Sequence, residues 1–239
     1  MSQQLSLVGG RGRELPALLD RPRAHGAVHG GVVLAHGAGG TSRTPFIARA
    51  AAGLAEAGWA VLRFDFGYAV AGGRPSRADR ADGPEWADYR AALAALADAV
   101  PAEVPVVAAG KSYGGRIATF LLASASSAPS SGPTPEHVLA RVRGLLVFGY
   151  PIGRPEGPRP ADVEALRSLR RPILVVQGSR DSLGPLRTLE AALAGVADAR
   201  IAVVEGGDHS YRAAGGRDIV ARLEDRAIAA ASEWLAALP

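Results

Sequence analysis

The sequence predicts an α/β fold in which a mostly parallel, twisted sheet carries helices on both faces. Short runs of valine, isoleucine and leucine alternate along the chain with alanine-rich segments of helical period. The apolar runs are nearly uninterrupted, as expected of parallel strands that are buried on both sides. Each run ends at a turn that contains glycine, which is typical of a chain that reverses toward a covering helix.

The apolar runs define the predicted strands in chain order. Two early segments, Leu5–Val8 and Leu15–Leu19, are expected to add antiparallel strands at one edge of the sheet. The remaining six runs are predicted to form its main part: Gly31–Ala35, Trp59–Phe64, Val104–Ala109, Leu145–Phe148, Ile173–Gln177 and Ile201–Val204.

The segments between the strands predict the helices. Pro45–Ala57 consists of helix formers and is followed by Gly58, a residue type common just after a helix. In Glu85–Val100, apolar residues recur every three or four positions and form one stripe. Arg116–Leu122 is expected to be the front of a further helix, and the others are Asp162–Leu169, Pro185–Leu193 and Asp218–Leu238.

Three segments are predicted to be loops that shape a substrate pocket: Gly67–Pro84, Ala123–Pro135 and Ile152–Pro160. The Ser/Pro-rich stretch 124–135 is typical of a surface loop. None of the three is long enough for a helical cap, so we expect no large cap domain and an open site. The absence of a repeat or long break predicts a single domain over residues 1–239.

Composition excludes several classes of function. The 239 residues include no cysteine, which rules out disulfide scaffolds, zinc fingers, iron–sulfur clusters and thiol nucleophiles. The net charge is +4, and the basic residues are almost all arginines, scattered among 23 acidic residues. Because no basic stripe appears, no binding of nucleic acid is expected.

The sequence also bears on localisation. Its first residues, Met1–Leu5, lack the positive segment and apolar stretch of a secretory signal. No apolar run approaches the ~18 residues of a membrane-spanning helix. We therefore expect a cytoplasmic protein that does not insert into a membrane.

Candidate site residues follow from the fold, because ligands of open α/β sheets bind beyond the carboxyl ends of the strands. The turns at those ends contain one serine, one aspartate and one histidine: Ser112, Asp181 and His209. A hydroxyl nucleophile needs a base, and the base needs an orienting acid. These three residue types together predict nucleophilic catalysis on an acyl group.

Residues 110–114 fit the pattern G-x-S-x-G between a strand and a helix, the context of a nucleophile elbow. Gly110 and Gly114 leave room for the sharp turn that exposes Ser112. The alternative is a phosphate-binding P-loop, since Gly110-Lys111-Ser112 is similar to the end of a Walker A motif. That motif requires a glycine where Pro105 stands, so nucleotide binding is not predicted.

His209 is the predicted base, because it follows the last strand in a turn that reaches across the sheet end. Asp181 is the predicted orienting acid. Asp208 is its competitor, but adjacent residues rarely align a carboxylate with the imidazole, and Asp65 is expected to support a loop. The other histidines are expected to lie at the surface (His25, His29 and His137) or to position a loop (His36).

Acyl transfer also requires amide donors for the oxyanion. We expect one from the backbone of Tyr113 and one from Ala38, in a loop whose glycines, including Gly37, allow close approach. Lys111, the single lysine of the chain, is expected to pair with a carboxylate beneath the turn. The alternative is that this lysine has no special role and occurs at this position by chance. The aromatic residues Tyr68, Tyr150 and Tyr211 are either pocket walls or packed side chains.

These motifs resemble the α/β-hydrolase superfamily, and within it the small cap-less enzymes of the dienelactone-hydrolase kind. The similarity covers nearly the whole chain from Gly31 onward. The branch of the superfamily that these motifs resemble also includes homologues of a regulatory subunit of the NSL histone-acetyltransferase complex. It is carried by HGAGG (36–40), RFDF (63–66), GKSYGGR (110–116), GYP (149–151), VQGSRD (176–181) and EGGDHSY (205–211).

The resemblance implies a Ser112–Asp181–His209 triad and a hydrolase that needs no cofactor or metal. Dienelactone hydrolases use a cysteine nucleophile and this chain has a serine, so their substrate does not carry over. The sequence thus predicts a serine esterase that acts on a small acyl substrate. A non-catalytic interaction module on the same scaffold is the alternative, because fold does not determine function.

Overall fold

The computed structural model describes residues 2–22, 28–81, 83–127, 136–154, 157–214 and 216–238. The strands of these residues are β1 (Ser2–Val8), β2 (Glu14–Asp20), β3 (Gly30–Ala35), β4 (Trp59–Phe64), β5 (Val106–Lys111), β6 (Val142–Phe148), β7 (Gly153–Arg154), β8 (Gly157–Pro158), β9 (Ile173–Gly178) and β10 (Ala199–Val204). The helices are α1 (Pro45–Glu56), α2 (Gly67–Val70), α3 (Pro84–Ala99), α4 (Tyr113–Ser127), α5 (Glu136–Ala140), α6 (Pro160–Ser168), α7 (Leu186–Leu193) and α8 (Arg217–Ala236).

One eight-stranded sheet has the strand order β1-β2-β4-β3-β5-β6-β9-β10, and β7 and β8 form a small hairpin beside it. From β4 to β10 all neighbouring strands are parallel, whereas β1, β2 and β4 pair antiparallel. The predicted α/β fold and its antiparallel edge are therefore confirmed. In the described part of the chain, no large cap covers the sheet.

The sheet separates two apolar layers. On β3, Val33 and Ala35 pack into the layer that contains α3, α4, α6 and α7, whereas Val32 and Leu34 pack into the layer of α1 and α8. All six residues of β3 are buried, since successive side chains of a strand point to opposite faces. This arrangement explains why the central strands are apolar without a break.

Several predicted boundaries shift for local reasons. The strand predicted at Val104–Ala109 begins instead at Val106 and continues to Lys111. Pro105 has no N–H to donate to a ladder, and its carbonyl accepts from the amide of Gly31 at 2.9 Å. The extension at the other end places Lys111 in the strand and the next residue directly at the turn.

Two of the predicted loops contain helix. Within Gly67–Pro84, α2 forms one short turn, closed by a bond of 3.1 Å from the amide of Ala71 to the carbonyl of Gly67. Residues 124–127 of the predicted Ser/Pro-rich loop belong to α4, and 128–135 lie outside the described residues. The short elements α5, β7 and β8 were also not predicted, because segments of two to five residues carry no clear period.

A buried ion pair joins α4 to α6. The guanidinium of Arg116 donates from Nε and Nη2 to the two oxygens of Asp162, at 2.6 and 2.9 Å. The hydroxyl of Tyr150 donates to the same carboxylate at 3.0 Å. Asp162 and Tyr150 are fully buried, so this cluster is shielded from water. It holds the first turn of α4 against the rest of the layer.

We expect Asp162→Ala to lower the free energy of unfolding by about 3–5 kcal/mol, because it leaves the largely buried charge of Arg116 without its partner. The matched control is Asp225→Ala, which breaks an ion pair with Arg49 in which the Asp225 side chain is 65% exposed. That change should lower the free energy of unfolding by less than about 1 kcal/mol. Urea unfolding of both variants measures the difference, and equal losses would contradict the role given to the buried pair.

Candidate active site

Ser112 lies in the turn between β5 and α4, at the carboxyl edge of the sheet. Its φ angle is 52°, in the left-handed region that non-glycine residues rarely adopt. The backbone is held there from both sides: the amide of Ser112 donates to the carbonyl of Phe148 on β6, and its carbonyl accepts from the amide of Arg116, both at 3.0 Å. This conformation lifts the hydroxyl away from the strand.

The glycines on either side of Ser112 are required by close backbone packing. A Cβ at Gly110 would overlap the backbone of Gly114 in the first turn of α4. A Cβ at Gly114 would lie only 2.6 Å from the carbonyl oxygen of His36, at the end of β3. The turn at Ser112 can pack this closely against β3 and α4 only without these side chains.

His209 follows β10 and reaches back over the sheet edge to Ser112. Its Nε2 lies 2.8 Å from the Oγ of Ser112, and its Nδ1 lies 2.7 Å from Oδ2 of Asp181. A carboxylate only accepts hydrogen bonds, so the network assigns the imidazole proton to Nδ1. The lone pair of Nε2 then accepts from the Ser112 hydroxyl. The structure therefore brings the three predicted residues into one hydrogen-bonded row.

The Asp181 carboxylate is 3% exposed and is surrounded by donors. Oδ2 also accepts from Nε2 of Gln177 at 2.7 Å, and Oδ1 accepts from the amides of Leu183 and Gly184 at 2.8 and 3.2 Å. With His209, four donors replace the water that the carboxylate loses on burial. These donors fix the direction of the oxygen that faces the imidazole.

Gln177 is a site residue that sequence analysis missed. It is fully buried near the end of β9, donates to Asp181, and accepts from the amide of Tyr150 at 2.8 Å. Nε2 also donates to the carbonyl of Gly184 at 2.8 Å. The available signal was a single amide at the end of an otherwise apolar strand, which implies a buried polar partner.

Lys111 links the backbone beside Ser112 to the backbone of His209. Its Nζ donates to the carbonyl of His209 at 2.5 Å and lies 5.5 Å from the ring centre of Tyr211. A Cβ at Gly149 would lie 2.7 Å from this Nζ, so the ammonium occupies a narrow space. The expected carboxylate partner is thus replaced by a carbonyl, because the side chain runs under the loop that carries the imidazole.

The loop after β3 lies beside Ser112, and the His36 imidazole contacts the backbone at the start of this loop. The fully buried imidazole accepts from the amide of Phe66 at 3.1 Å through Nε2, and its Nδ1 lies 2.7 Å from the carbonyl of Gly37. Burial lowers the pKa of His36, which keeps it neutral. A Cβ at Gly37 would lie 3.6 Å from the Cβ of Ser112, and Ala38 follows in an exposed turn.

The competing carboxylates have other partners. Oδ1 of Asp208 accepts from the amides of Ser210 and Arg212, both at 2.8 Å, and so closes the turn after β10. Oδ1 of Asp65 accepts from the amide of Ser42 at 2.5 Å, which ties two loops together. Neither arrangement points the carboxylate at the imidazole of His209.

The three predicted aromatic residues differ in position. Tyr150 and Tyr211 are fully buried, and the hydroxyl of Tyr211 donates to the carbonyl of Val176 at 2.8 Å, so both are packed side chains and not pocket walls. Tyr68 is half-buried, with its hydroxyl 3.3 Å from the carbonyl of Gly37. His29 is exposed as expected, whereas the side chains of His25 and His137 lie outside the described residues.

Two further findings concern what the described ranges contain. Their His, Asp and Glu side chains form no group of three or more that would hold a metal ion. None of the helices in these ranges is both long enough and apolar enough to cross a lipid bilayer.

Comparisons with known proteins agree with the fold. A family model described as an alpha/beta hydrolase domain matches residues 29–236. No curated protein sequence matches the chain. Among solved structures, a lidless α/β serine hydrolase from Xanthomonas campestris superposes with a TM-score of 0.70 at 20% identity, covering 100% of this chain and 97% of that one.

Two other solved structures are similar. Dienelactone hydrolase from Anabaena variabilis gives a TM-score of 0.68 at 22% identity, covering 99% of this chain and 98% of that one. Esterase 2 from Thermogutta terrifontis, phosphorylated by paraoxon, gives a TM-score of 0.68 at 19% identity, covering 98% of this chain and 93% of that one. At these identities the likeness concerns the fold.

The electrostatics of Lys111 predict a pH-dependent stability. Burial lowers its pKa from 10.5 to about 8, although Asp181 and Asp208 oppose the shift. Between about pH 8 and about pH 10, the unfolded chain therefore holds a proton that the folded chain has released, and the free energy of unfolding rises with pH. We expect the difference in free energy of unfolding between wild type and Lys111→Met to grow in favour of wild type across this window.

Urea unfolding of both proteins at several pH values measures this difference. The tyrosines that titrate near the upper end are common to both chains, so their effect cancels. A difference that stays constant with pH would contradict the predicted titration of Lys111.

Proposed function

The chain belongs to the α/β-hydrolase family, and on that premise we propose that it is a serine hydrolase that cleaves an ester or a related acyl bond of a small molecule. The observation that carries the proposal is the row of atoms from Ser112 Oγ to His209 Nε2 at 2.8 Å and from His209 Nδ1 to Asp181 Oδ2 at 2.7 Å. This is the connectivity of a nucleophile, a base and an orienting acid.

In the proposed reaction, Oγ of Ser112 attacks the carbonyl carbon while its proton moves to Nε2 of His209. Asp181 stabilises the imidazolium that forms and keeps the remaining proton on Nδ1. The imidazolium then protonates the leaving alcohol, and the acyl group remains on Ser112. Water attacks the acyl-enzyme by the same route: it gives a proton to His209, the acid leaves, and the hydroxyl of Ser112 regains its proton.

We propose the amides of Tyr113 and Ala38 as donors to the oxyanion. Tyr113 is the first residue of α4, where amides have no acceptor within the helix and the helix dipole favours negative charge. No acceptor for either amide occurs among the described residues. Two free donors beside the nucleophile suit the charge that develops on the carbonyl oxygen.

Lys111 is proposed as a positioning residue. Its bond to the carbonyl of His209 ties the loop of the base to the strand that ends at Ser112. His36, Gly37, Gly110 and Gly114 are proposed to support the site through the loop and turn contacts described above. Because no large cap covers the described sheet, a substrate of modest size that enters an open site fits best.

The first test is covalent labelling of Ser112. We expect a fluorophosphonate probe to label the wild-type protein and to leave Ser112→Ala unlabelled, since only an activated hydroxyl displaces the fluoride. Ser210→Ala is the matched control, because it removes an exposed hydroxyl next to His209 and should label like wild type. Detection is by gel fluorescence and by the mass of the modified peptide.

An absence of labelling, under conditions that label a reference serine hydrolase, would contradict catalysis and favour the alternative of an interaction module. Labelling of Ser112→Ala would place the reactive group elsewhere. A related organophosphate is known to act on a similar fold, since the Thermogutta terrifontis esterase 2 is phosphorylated by paraoxon.

The second test separates the two aspartates. Asp181→Asn should lower kcat by roughly 10³–10⁴-fold, because an amide in this cluster of donors forces the wrong tautomer on His209. Asp208→Asn keeps an Oδ1 that can accept from Ser210 and Arg212, so kcat should change less than about threefold. Hydrolysis of p-nitrophenyl acetate provides the assay, with Ser112→Ala as the blank. A larger loss in the Asp208 variant would overturn the assignment.

A further inference from the structure

A cleft of about 1040 Å³ lies at the amino ends of the parallel strands, on the opposite edge of the sheet from Ser112. Its walls include Pro105 just before β5 and Pro172 just before β9. The six residues of β5 separate Pro105 from Ser112 by about 20 Å. A small molecule in this cleft would therefore not reach the proposed nucleophile.

The cleft is strongly positive. Four arginines line it, Arg141, Arg143, Arg170 and Arg171, and Glu103 is the one acidic residue among its lining. The side chain of Arg143 is exposed and forms no hydrogen bond or ion pair with the part of the chain that the structure describes. Nearby positive charges without counter-charges repel one another, and a bound anion would relieve this repulsion.

Three of these arginines donate to backbone carbonyls, and the exposed Arg170 does so through one bond of 3.3 Å to the carbonyl of Arg167. Arg141 donates to the carbonyls of Ala97 and Pro101 at 2.8 and 2.7 Å, and Arg171 donates to the carbonyl of Leu139 at 3.1 Å. Carbonyls satisfy donors without neutralising the charge. The Nε of Arg141 is buried and has no acceptor among the described residues.

The closeness of these arginines also affects the pKa of one of them. Burial lowers the pKa of Arg171, and the charge of Arg143 lowers it further. The guanidinium groups nevertheless remain charged at neutral pH. The cleft thus combines two partly buried arginines, Arg141 and Arg171, with two exposed ones, Arg143 and Arg170.

We propose that this cleft is a second ligand site, which binds a small molecule carrying two or more phosphate groups. Guanidinium groups donate pairs of hydrogen bonds to phosphate oxygens, and several arginines around one cleft suit an anion with several such oxygens. The volume is at the upper end of small-molecule sites and accommodates a molecule of nucleotide size. A bounded cleft favours a small molecule over a polymer, which would need an extended basic stripe.

The test is isothermal titration calorimetry of the full chain with inorganic tripolyphosphate, and separately with ATP, at constant ionic strength. We expect saturable binding of one molecule per chain. Arg143→Gln combined with Arg170→Gln should weaken it by about tenfold or more, since each lost charged hydrogen bond contributes to affinity. Tighter binding of ATP than of tripolyphosphate would identify a nucleotide, and equal binding would identify the phosphate chain itself.

The matched control is Arg222→Gln combined with Arg226→Gln, which removes the same charge from exposed positions on α8. This pair should change the dissociation constant by less than about twofold. Ser112→Ala should bind like wild type, so loss of the proposed hydrolase activity would leave this proposal unaffected. Circular dichroism of each variant checks that it is folded.

Three results would overturn the proposal. The first is the absence of saturable binding. The second is an equal loss of affinity in the two double variants, which would indicate attraction by net charge alone. The third is a preference for citrate, for an acidic peptide or for an oligonucleotide over tripolyphosphate, which would assign the cleft to another class of anion.

Discussion

The close contact between the turn at Ser112 and its neighbours is the constraint on which the rest of the candidate site depends. The turn packs against the end of β3 and the first turn of α4 at distances that exclude a Cβ at Gly110 or Gly114. The left-handed φ angle of Ser112 is maintained by this packing and by the bond to Phe148. Backbone strain of this kind persists only where the surrounding structure over-determines it.

A second constraint is the burial of a charge at Asp181. An isolated carboxylate in an apolar layer is very costly, and here the cost is offset by two amides, the side chain of Gln177 and the imidazole of His209. The same glutamine bonds the amide of Tyr150, so the turns after β6 and β9 share one acceptor–donor network. The orientation of the His209 imidazole therefore depends on residues at the ends of several strands.

The two edges of the sheet differ in their charge balance. At the carboxyl edge, the buried Asp181 carboxylate has a full set of donors, and the ammonium of Lys111 bonds the carbonyl of His209. At the amino edge, arginine side chains meet with one glutamate among them. Both edges are built from the same parallel strands, because a parallel sheet gathers all the strand starts on one side and all the strand ends on the other.

The sequence by itself determined the fold class, the order of the strands along the chain and the turns that carry Ser112, Asp181 and His209. These features are local: an apolar run, a period or a glycine beside a serine reports on its own neighbourhood. Only the tertiary structure decided which acceptor Lys111 finds, that Gln177 supports Asp181, and that Tyr150 and Tyr211 are buried. Those outcomes depend on the order of strands across the sheet, which brings together residues far apart in the chain. A single segment can show that a buried polar residue such as Gln177 needs a partner, but it does not specify which residue that partner is.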